Sequence, residues 1–219
     1  MHKIIFVVFS LLFTSGCFAD AMVNALQKIE SKWAIAEHTY AKDARKIAFQ
    51  SLLKQTKDLT NQYQGKAEPL ILQACIILTR AKIENSLAAL SSVRKAKTLL
   101  EKAITINPHA DRGSALVTLG VLYYKVPSWP IAFGDNEKAK IMLRKALKIN
   151  PKGLDSNYFY AEFLLDQDKP EQATTYLVKA INAPIYATNK FFARDIQAKA
   201  KRALKNISTI VAYNESPGL

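Results

Sequence analysis

The most constraining feature of the chain is a helical phrase that occurs three times. It reads AKTLLEKAITINP at residues 96–108, AKIMLRKALKINP at 139–151 and ATTYLVKAINAP at 173–184. Each copy places small residues and a leucine at helical spacing and ends in a proline, which lacks the backbone donor that a helix needs. The shared positions are Ala96, Leu100, Ala103 and Pro108; Ala139, Leu143, Ala146 and Pro151; and Ala173, Leu177, Ala180 and Pro184. The phrase is typical of the second helix in a repeated helix–turn–helix unit.

The spacing of the copies locates an insertion. Thirty-four residues separate Ala139 from Ala173, whereas 43 separate Ala96 from Ala139. The additional residues fall in the stretch 126–135, which is rich in proline and aromatic residues and ends at Asp135, a residue type that caps helix N termini. In repeat proteins such insertions emerge as loops on one face of the stack, often the binding face.

The first helix of the middle unit carries a second signature. Leu116, Leu119, Gly120 and Tyr123 have the spacing of the bulky residue, leucine, glycine and tyrosine in a tetratricopeptide repeat (TPR). Because glycine has no side chain, Gly120 would let the two helices of its unit approach closely. On these residues and the repeated phrase, the chain resembles the TPR family. The resemblance implies an all-α, TPR-like α-solenoid of stacked antiparallel helix pairs, with capping helices at its N and C termini.

A narrower resemblance rests on five short stretches of the repeat region. They are AEPLI at 67–71, LGVLYYKVP at 119–127, WP at 129–130, FGD at 133–135 and NYF at 157–159. These stretches are similar to exported proteobacterial TPR proteins of the TRAP transporter T-component type. That similarity implies a transport accessory role for the chain.

The patterns divide the chain into four parts. Residues 1–21 are predicted to be a signal peptide, and residues 22–65 an N-terminal helical hairpin with a break near His38 to Lys42. Residues 66–187 hold the TPR-like repeats, in units at about 68–108, 113–151 and 154–184. Residues 188–219 are predicted to be a C-terminal capping helix and tail.

The N-terminus has the layout of a secretory signal. Lys3 precedes an apolar run at residues 4–13, and small residues follow. The run is shorter than the roughly 20 residues that cross a bilayer, and a buried N-terminal helix is the alternative. Cleavage near residues 19–21 would export the chain to the periplasm as a soluble protein. Cleavage before Cys17 would make it a membrane-anchored lipoprotein, although TSGC at 14–17 matches the lipoprotein box only in part.

The sequence offers little that resembles catalytic chemistry. It contains no phosphate-cradling glycine loop, HExxH, paired CxxC or GxSxG motif. His2, His38 and His109 stand far apart, so neither a metal site nor a cofactor is predicted. Cys75 lies in an apolar run, where a lone cysteine is most often a small core residue. We therefore expect no enzymatic activity and no catalytic residues.

The charge balance is strongly basic. The chain carries 31 Lys and Arg against 18 Asp and Glu, a formal net charge of +13. For an exported protein this balance does not indicate a nucleic acid partner. The favoured interpretation is a solvated outer face, and the alternative is peripheral contact with an anionic membrane surface, which salt would weaken.

The insertion supplies the candidate site. Its Trp129 and Phe133 offer apolar area that could line a groove for a peptide of an unidentified envelope protein or for a hydrophobic small ligand. The neighbouring aromatic candidates are Tyr123, Tyr124, Tyr158 and Phe159. Alternatively, Trp129 fills the wedge that the insertion opens between helix pairs. The expected function is a non-enzymatic TPR-type module for protein–protein interaction in the bacterial cell envelope. The alternative is a periplasmic small-ligand carrier or transport accessory.

Overall fold

The computed structural model describes residues 14–185 and 190–215. The apolar run of the predicted signal peptide and the end of the predicted tail lie outside these residues, and so does the side chain of Cys17. The backbone of residues 14–21 is already helical, so the predicted cleavage positions fall within the first turns of helix α1.

Helices account for almost all of the regular structure in the described ranges. They are α1 (Thr14–Thr39), α2 (Lys42–Gln62), α3 (Glu68–Ala81), α4 (Ser86–Ile106), α5 (Ser114–Lys125), α6 (Asn136–Ile149), α7 (Leu154–Asp166), α8 (Pro170–Ile181) and α9 (Lys190–Glu215). A short 3₁₀ turn, Ala110–Gly113, precedes α5. An isolated bridge between Ser128 and Gly134 is the sole β-type pairing in these parts of the chain.

The helices pack as consecutive pairs. The most extensive helix contacts are α3 with α4, α5 with α6 and α7 with α8, and each pair also touches the next. The hairpin of α1 and α2 packs on α3 at one end, and α9 packs on α7 and α8 at the other. The architecture is the predicted all-α, TPR-like α-solenoid with capping helices at both ends.

The repeated phrase forms the spine of this stack. In all three copies the two alanines and the leucine between them are 0% exposed. Helices α4, α6 and α8 therefore present the same small–large–small surface to their neighbours. The nine side chains are packed in the same way in each repeat of the solenoid.

Gly120 is required by the close approach of α5 and α6. A Cβ atom at this position would lie 2.7 Å from Leu143 Cγ and 3.4 Å from the carbonyl oxygen of Ala139. The first of these distances is shorter than any ordinary contact between carbon atoms. The structure confirms the predicted role of the glycine as the point where the paired helices cross.

Capping helix α9 is fastened by polar as well as apolar contacts. The side-chain amide of Gln197 donates to the carbonyl oxygens of Ile181, at 3.1 Å, and Ala183, at 3.0 Å. The Ile181 carbonyl stands at the end of α8, where a helix leaves acceptors without intrahelical partners, and Ala183 follows the C-cap residue Asn182. None of the helices in the described ranges is both long and apolar enough to cross a lipid bilayer.

Candidate binding site

The first helices of the three repeats line a cavity of about 430 Å³. Because α3, α5 and α7 occupy equivalent places in successive pairs, they stand side by side on one face of the solenoid. Capping helices α1 and α9 add side chains from the two ends of the repeat stack. The cavity falls within the range of about 300–1,000 Å³ that is typical of ligand sites.

One part of the lining is apolar. Trp33 of α1 and Phe192 of α9 lie with their ring centroids 4.6 Å apart, so the two capping helices meet at the cavity. The other apolar lining residues are Leu26, Ile71, Leu72, Val117, Leu154, Phe159, Pro184, Ala193 and Ile196. This wall can receive aliphatic or aromatic groups.

The other part of the lining is acidic. Glu30, Glu68, Asp111 and Asp155 contribute four carboxylates, and Arg112 is the one base among the lining residues that the structure describes. With all five groups ionised, the lining carries a formal charge of −3, in a chain whose net charge is +13. The cavity therefore has the opposite sign to the protein around it.

The repeat architecture explains why three of the acids lie along one edge of the cavity. Glu68 stands in the first turn of α3, Asp155 in the first turn of α7, and Asp111 in the 3₁₀ turn before α5. Since the three first helices stand side by side in equivalent places, their N-terminal ends share one edge of the cavity. The positive ends of the helix dipoles partly offset the repulsion among these carboxylates.

Burial and mutual repulsion perturb the acids. Burial, with the charge of Asp111 adding to it, raises the pKa of Glu30 to about 7 and that of Asp155 to about 6. Burial also raises the pKa of Asp111, and the Ser114 hydroxyl and Arg112 partly counter this effect. Asp111 and Asp155 are exposed at the cavity surface, whereas Glu30 is half-buried, so solvent screens the two aspartates in part. Glu30 and Asp155 therefore hold protons at mildly acidic pH.

This electrostatic arrangement predicts that Asp155→Asn stabilises the chain at pH 7.5 and has little effect at pH 4. Because the folded state holds the Asp155 proton more tightly than the unfolded state, stability falls as pH rises from about 4 through about 6. Urea unfolding should show a gain on the order of 1 kcal/mol at pH 7.5, once screening by water is discounted. Glu171→Gln, at an exposed position of α8, is the control. An equal effect of Asp155→Asn at both pH values would contradict the electrostatic assignment.

A left-handed segment of backbone carries two of the charged lining residues. Asp111 has φ 44°, Arg112 φ 55° and Gly113 φ 84°. Glycine adopts this conformation freely, whereas for residues with a side chain it costs roughly 1–2 kcal/mol. Asp111 and Arg112 are thus held at the cavity edge against their local preference, by the packing of α5 and α6 on the turn.

Two further polar groups belong to the cavity wall. Cys75 is half-buried and packs against the core, and burial raises its pKa to about 12, so its thiol stays protonated and weakly nucleophilic. The indole nitrogen of Trp33 is buried and finds no hydrogen-bond partner in the part of the chain that the structure describes. No group of three or more His, Cys, Asp or Glu side chains in that part is placed to hold a metal ion.

The six predicted aromatic residues do not form one groove. Phe159 lines the cavity. Tyr123, Tyr124 and Tyr158 are buried in the helix packing, where Tyr124 meets Phe163 edge-on with ring centroids 5.5 Å apart. Phe133 is half-buried edge-on against Tyr123, with ring centroids 5.9 Å apart. Trp129 is 86% exposed, so it does not fill a wedge between helix pairs.

The insertion itself is a fastened loop. The Gly134 amide donates to the Pro127 carbonyl at 2.9 Å, and Arg94 of the preceding unit donates to the Ile131 carbonyl at 3.2 Å. The Asp135 side chain accepts from the Lys138 amide at 3.0 Å, as expected of an N-cap. A Cβ atom on Gly134 would lie 2.2 Å from the Val126 carbonyl oxygen, so this turn also depends on glycine.

Sequence reasoning missed the acidic lining, although the chain carried a signal for it. Glu68, Asp111 and Asp155 each stand at the start of the first helix of a unit. Acids at helix N termini have an ordinary explanation in the helix dipole, so their recurrence was not distinctive. Glu30 and Trp33 come from outside the repeats and carried no signal of their own.

Comparisons with known proteins bear on the fold. The tetratricopeptide repeat family matches residues 131–152, which include α6. The structure is similar to that of a thermophilic TPR protein in Thermus thermophilus, with a TM-score of 0.56 and 16% sequence identity; the similarity covers 86% of this chain and 94% of that one. A search of the curated proteins returns no significant match. The findings support the TPR-like fold and do not confirm the narrower resemblance to transporter T components.

Proposed function

We propose that this protein is a non-enzymatic, exported binding module that takes a segment of another envelope polypeptide into its concave cavity. The TPR fold indicates protein–protein interaction in general. The observation that carries the specific proposal is the cavity itself, because every repeat and both capping helices contribute to its lining. Five helices contribute side chains to this single open cleft, and concave clefts of this size are where proteins bind ligands.

The test fills the cavity without touching the repeat spine. Ala193 lies half-buried on α9 and lines the cavity, so Ala193→Trp should occupy part of it. Peptides selected by display against the wild-type chain should lose binding to Ala193→Trp by at least tenfold. Val178→Trp, at a position of α8 that is 42% exposed and outside the cavity lining, should leave binding unchanged. Circular dichroism checks that both variants are folded.

Two outcomes would contradict the proposal. Peptides that bind Ala193→Trp as tightly as wild type would place the interaction elsewhere on the surface. Peptides that lose binding to Trp129→Ala, while retaining it with Ala193→Trp, would place it on the insertion.

Export is supported by the N-terminal layout of Lys3, the apolar run and the small residues that follow. Mass analysis of the protein purified from its own cells tests this point. A mature N-terminus near residues 19–21 supports soluble export, and a lipidated Cys17 supports membrane anchoring. A chain that retains Met1 and the apolar run would overturn both.

A small-ligand carrier is the second candidate, favoured by the cavity volume of about 430 Å³. Native mass spectrometry of the protein from its own cells should then show a bound molecule of constant mass. Ala193→Trp should remove that molecule and Val178→Trp should retain it. Wild-type protein that carries no additional mass would weigh against the carrier and leave the polypeptide proposal standing.

A further inference from the structure

We propose that the polypeptide segment bound in the concave cavity inserts a lysine or arginine side chain, whose cationic head enters the acidic part of the lining that contains Glu30, Asp111 and Asp155 and whose alkyl stem lies on the apolar wall. This inference rests on the proposed function and names the chemistry of its ligand. Long cationic side chains have this division, with an aliphatic stem that packs on apolar surface and a charged head that seeks polar partners.

The charge distribution favours a cationic occupant. The described lining holds four carboxylates against one guanidinium, and these charged groups come from four separate elements of the chain. The surrounding protein is basic, but ions screen charges beyond a Debye length of about 8 Å at physiological salt. A group that enters the cavity comes within a Debye length of its lining carboxylates, so their negative charge acts on it more strongly than the distant basic surface does.

Two other occupants fit the lining less well. An acidic side chain would face repulsion from Glu30, Glu68, Asp111 and Asp155, with Arg112 as the single described base to balance them. A metal ion needs ligands gathered at one point, whereas the described acids are spread around the cavity and form no metal-binding group. A guanidinium or ammonium with several donors suits such a dispersed set of acceptors.

The Trp33 indole belongs to the apolar part of the cavity wall. Its nitrogen is buried, so an occupant of the cavity would contact the ring and not the N–H group. The ring offers apolar area on which an alkyl stem can pack.

The raised pKa values give the inference a pH signature. Burial holds the pKa of Glu30 at about 7 and that of Asp155 at about 6, so both release protons more readily once a cation neutralises the site. Affinity for a cationic segment should therefore rise from pH 5.5 to pH 8. The charged or titratable groups that face these acids are Glu68 and Cys75 from α3 and Asp111 and Arg112 from the 3₁₀ turn, while the described lining residues of α5 and α9 are uncharged.

The experiment uses Trp33 as its own reporter. The chain contains two tryptophans, so Trp129→Phe leaves Trp33, in the cavity wall, as the sole indole. The probes are three pools of capped heptapeptides with a central lysine, norleucine or glutamate, and flanking positions drawn equally from alanine, leucine, serine and valine. Fluorescence titration of the full chain at pH 7.5 measures binding, and n-butylamine tests for a small cation.

We expect the lysine pool to bind at least tenfold more tightly than the norleucine pool, and the glutamate pool to bind most weakly. Asp155→Asn and Glu30→Gln should each weaken lysine binding by about tenfold, the loss of one charge-assisted contact. They should therefore lower the ratio of lysine to norleucine affinity. Glu171→Gln, exposed on α8 and absent from the described lining, is the matched control and should bind like wild type.

Each contrary result has a definite meaning. Equal binding of the lysine and norleucine pools would overturn the cation inference while supporting a polypeptide site. A failure of every pool to change Trp33 fluorescence would overturn the polypeptide proposal as well. If n-butylamine bound as tightly as the lysine pool, the ligand would be a small amine, and the inference of a polypeptide side chain would fall.

Discussion

Replacing Leu143 with alanine is expected to lower the free energy of unfolding by about 3–5 kcal/mol, the range for leucines removed from rigid cores. Leu143 is 0% exposed and lies in the core formed by the first two repeat units and the contacts to the third. Its side chain fills the space beside Gly120, and close packing there leaves little freedom to collapse around the lost methyl groups.

Urea unfolding followed by circular dichroism measures this loss. Ile141→Ala is a matched control because Ile141 lies on the same helix and is 48% exposed, and its loss should stay well below that of Leu143→Ala. A similar small loss at both positions would mean that the repeated phrase does not form the packed spine of the solenoid.

Gly120→Ala is expected to destabilise the chain by about 1–3 kcal/mol, although alanine is the better helix former by about 1 kcal/mol. The added Cβ atom would lie 2.7 Å from Leu143 Cγ, in a region with no room to absorb it. We expect the steric cost of the added methyl group to be larger than the gain in helix propensity, so the net effect is a loss of stability.

A double-mutant cycle isolates this contact. In a Leu143→Ala background the clashing side-chain atoms are gone, so Gly120→Ala should become neutral or stabilising. The coupling energy between the two positions should then exceed about 1 kcal/mol, beyond what independent sites show. Additive effects in the cycle would show that Gly120 is not held by its approach to Leu143.

The repeat architecture was predictable because each helix pair is determined by residue patterns that lie close together in the sequence. The register of Ala139, Leu143 and Ala146 predicts which face of α6 is buried. The spacing of Leu116, Leu119, Gly120 and Tyr123 identifies α5 as the first helix of a repeat unit. These signals depend on helical periodicity within one unit. The repeated phrase then occurs again in the next unit. Because the same pattern occurs several times, the fold of a repeat protein can be predicted from its sequence.

The cavity was not predictable because it depends on how the units and caps are arranged in space. Trp33 and Phe192 come from opposite ends of the chain, and no periodicity links them before the solenoid brings α1 and α9 together. Asp111 reaches the cavity edge through a left-handed turn that its residue type alone does not demand. Sequence reasoning favoured residues 126–135 instead, because insertions and exposed aromatics are the features that a linear pattern reveals.

The candidate binding site in the structure is the cavity on the concave face and not the insertion. Of the predicted candidates, Phe159 lines the cavity, whereas Trp129 is exposed on the loop away from the described lining. Glu30, Glu68, Asp111 and Asp155 line the same cavity as Phe159, whereas Tyr123, Tyr124 and Tyr158 are buried in the helix packing.

Hydrogen exchange on the full chain, with and without the lysine peptide pool, tests the central claim most directly. The first four amides of a helix have no intrahelical acceptor, so amides at the starts of α5 and α7 should exchange quickly in the free protein. Binding in the cavity is expected to slow exchange at residues 110–117 and 154–157 and to leave residues 126–135 unchanged. Slowed exchange at 126–135, with no change at the starts of α5 and α7, would contradict the account.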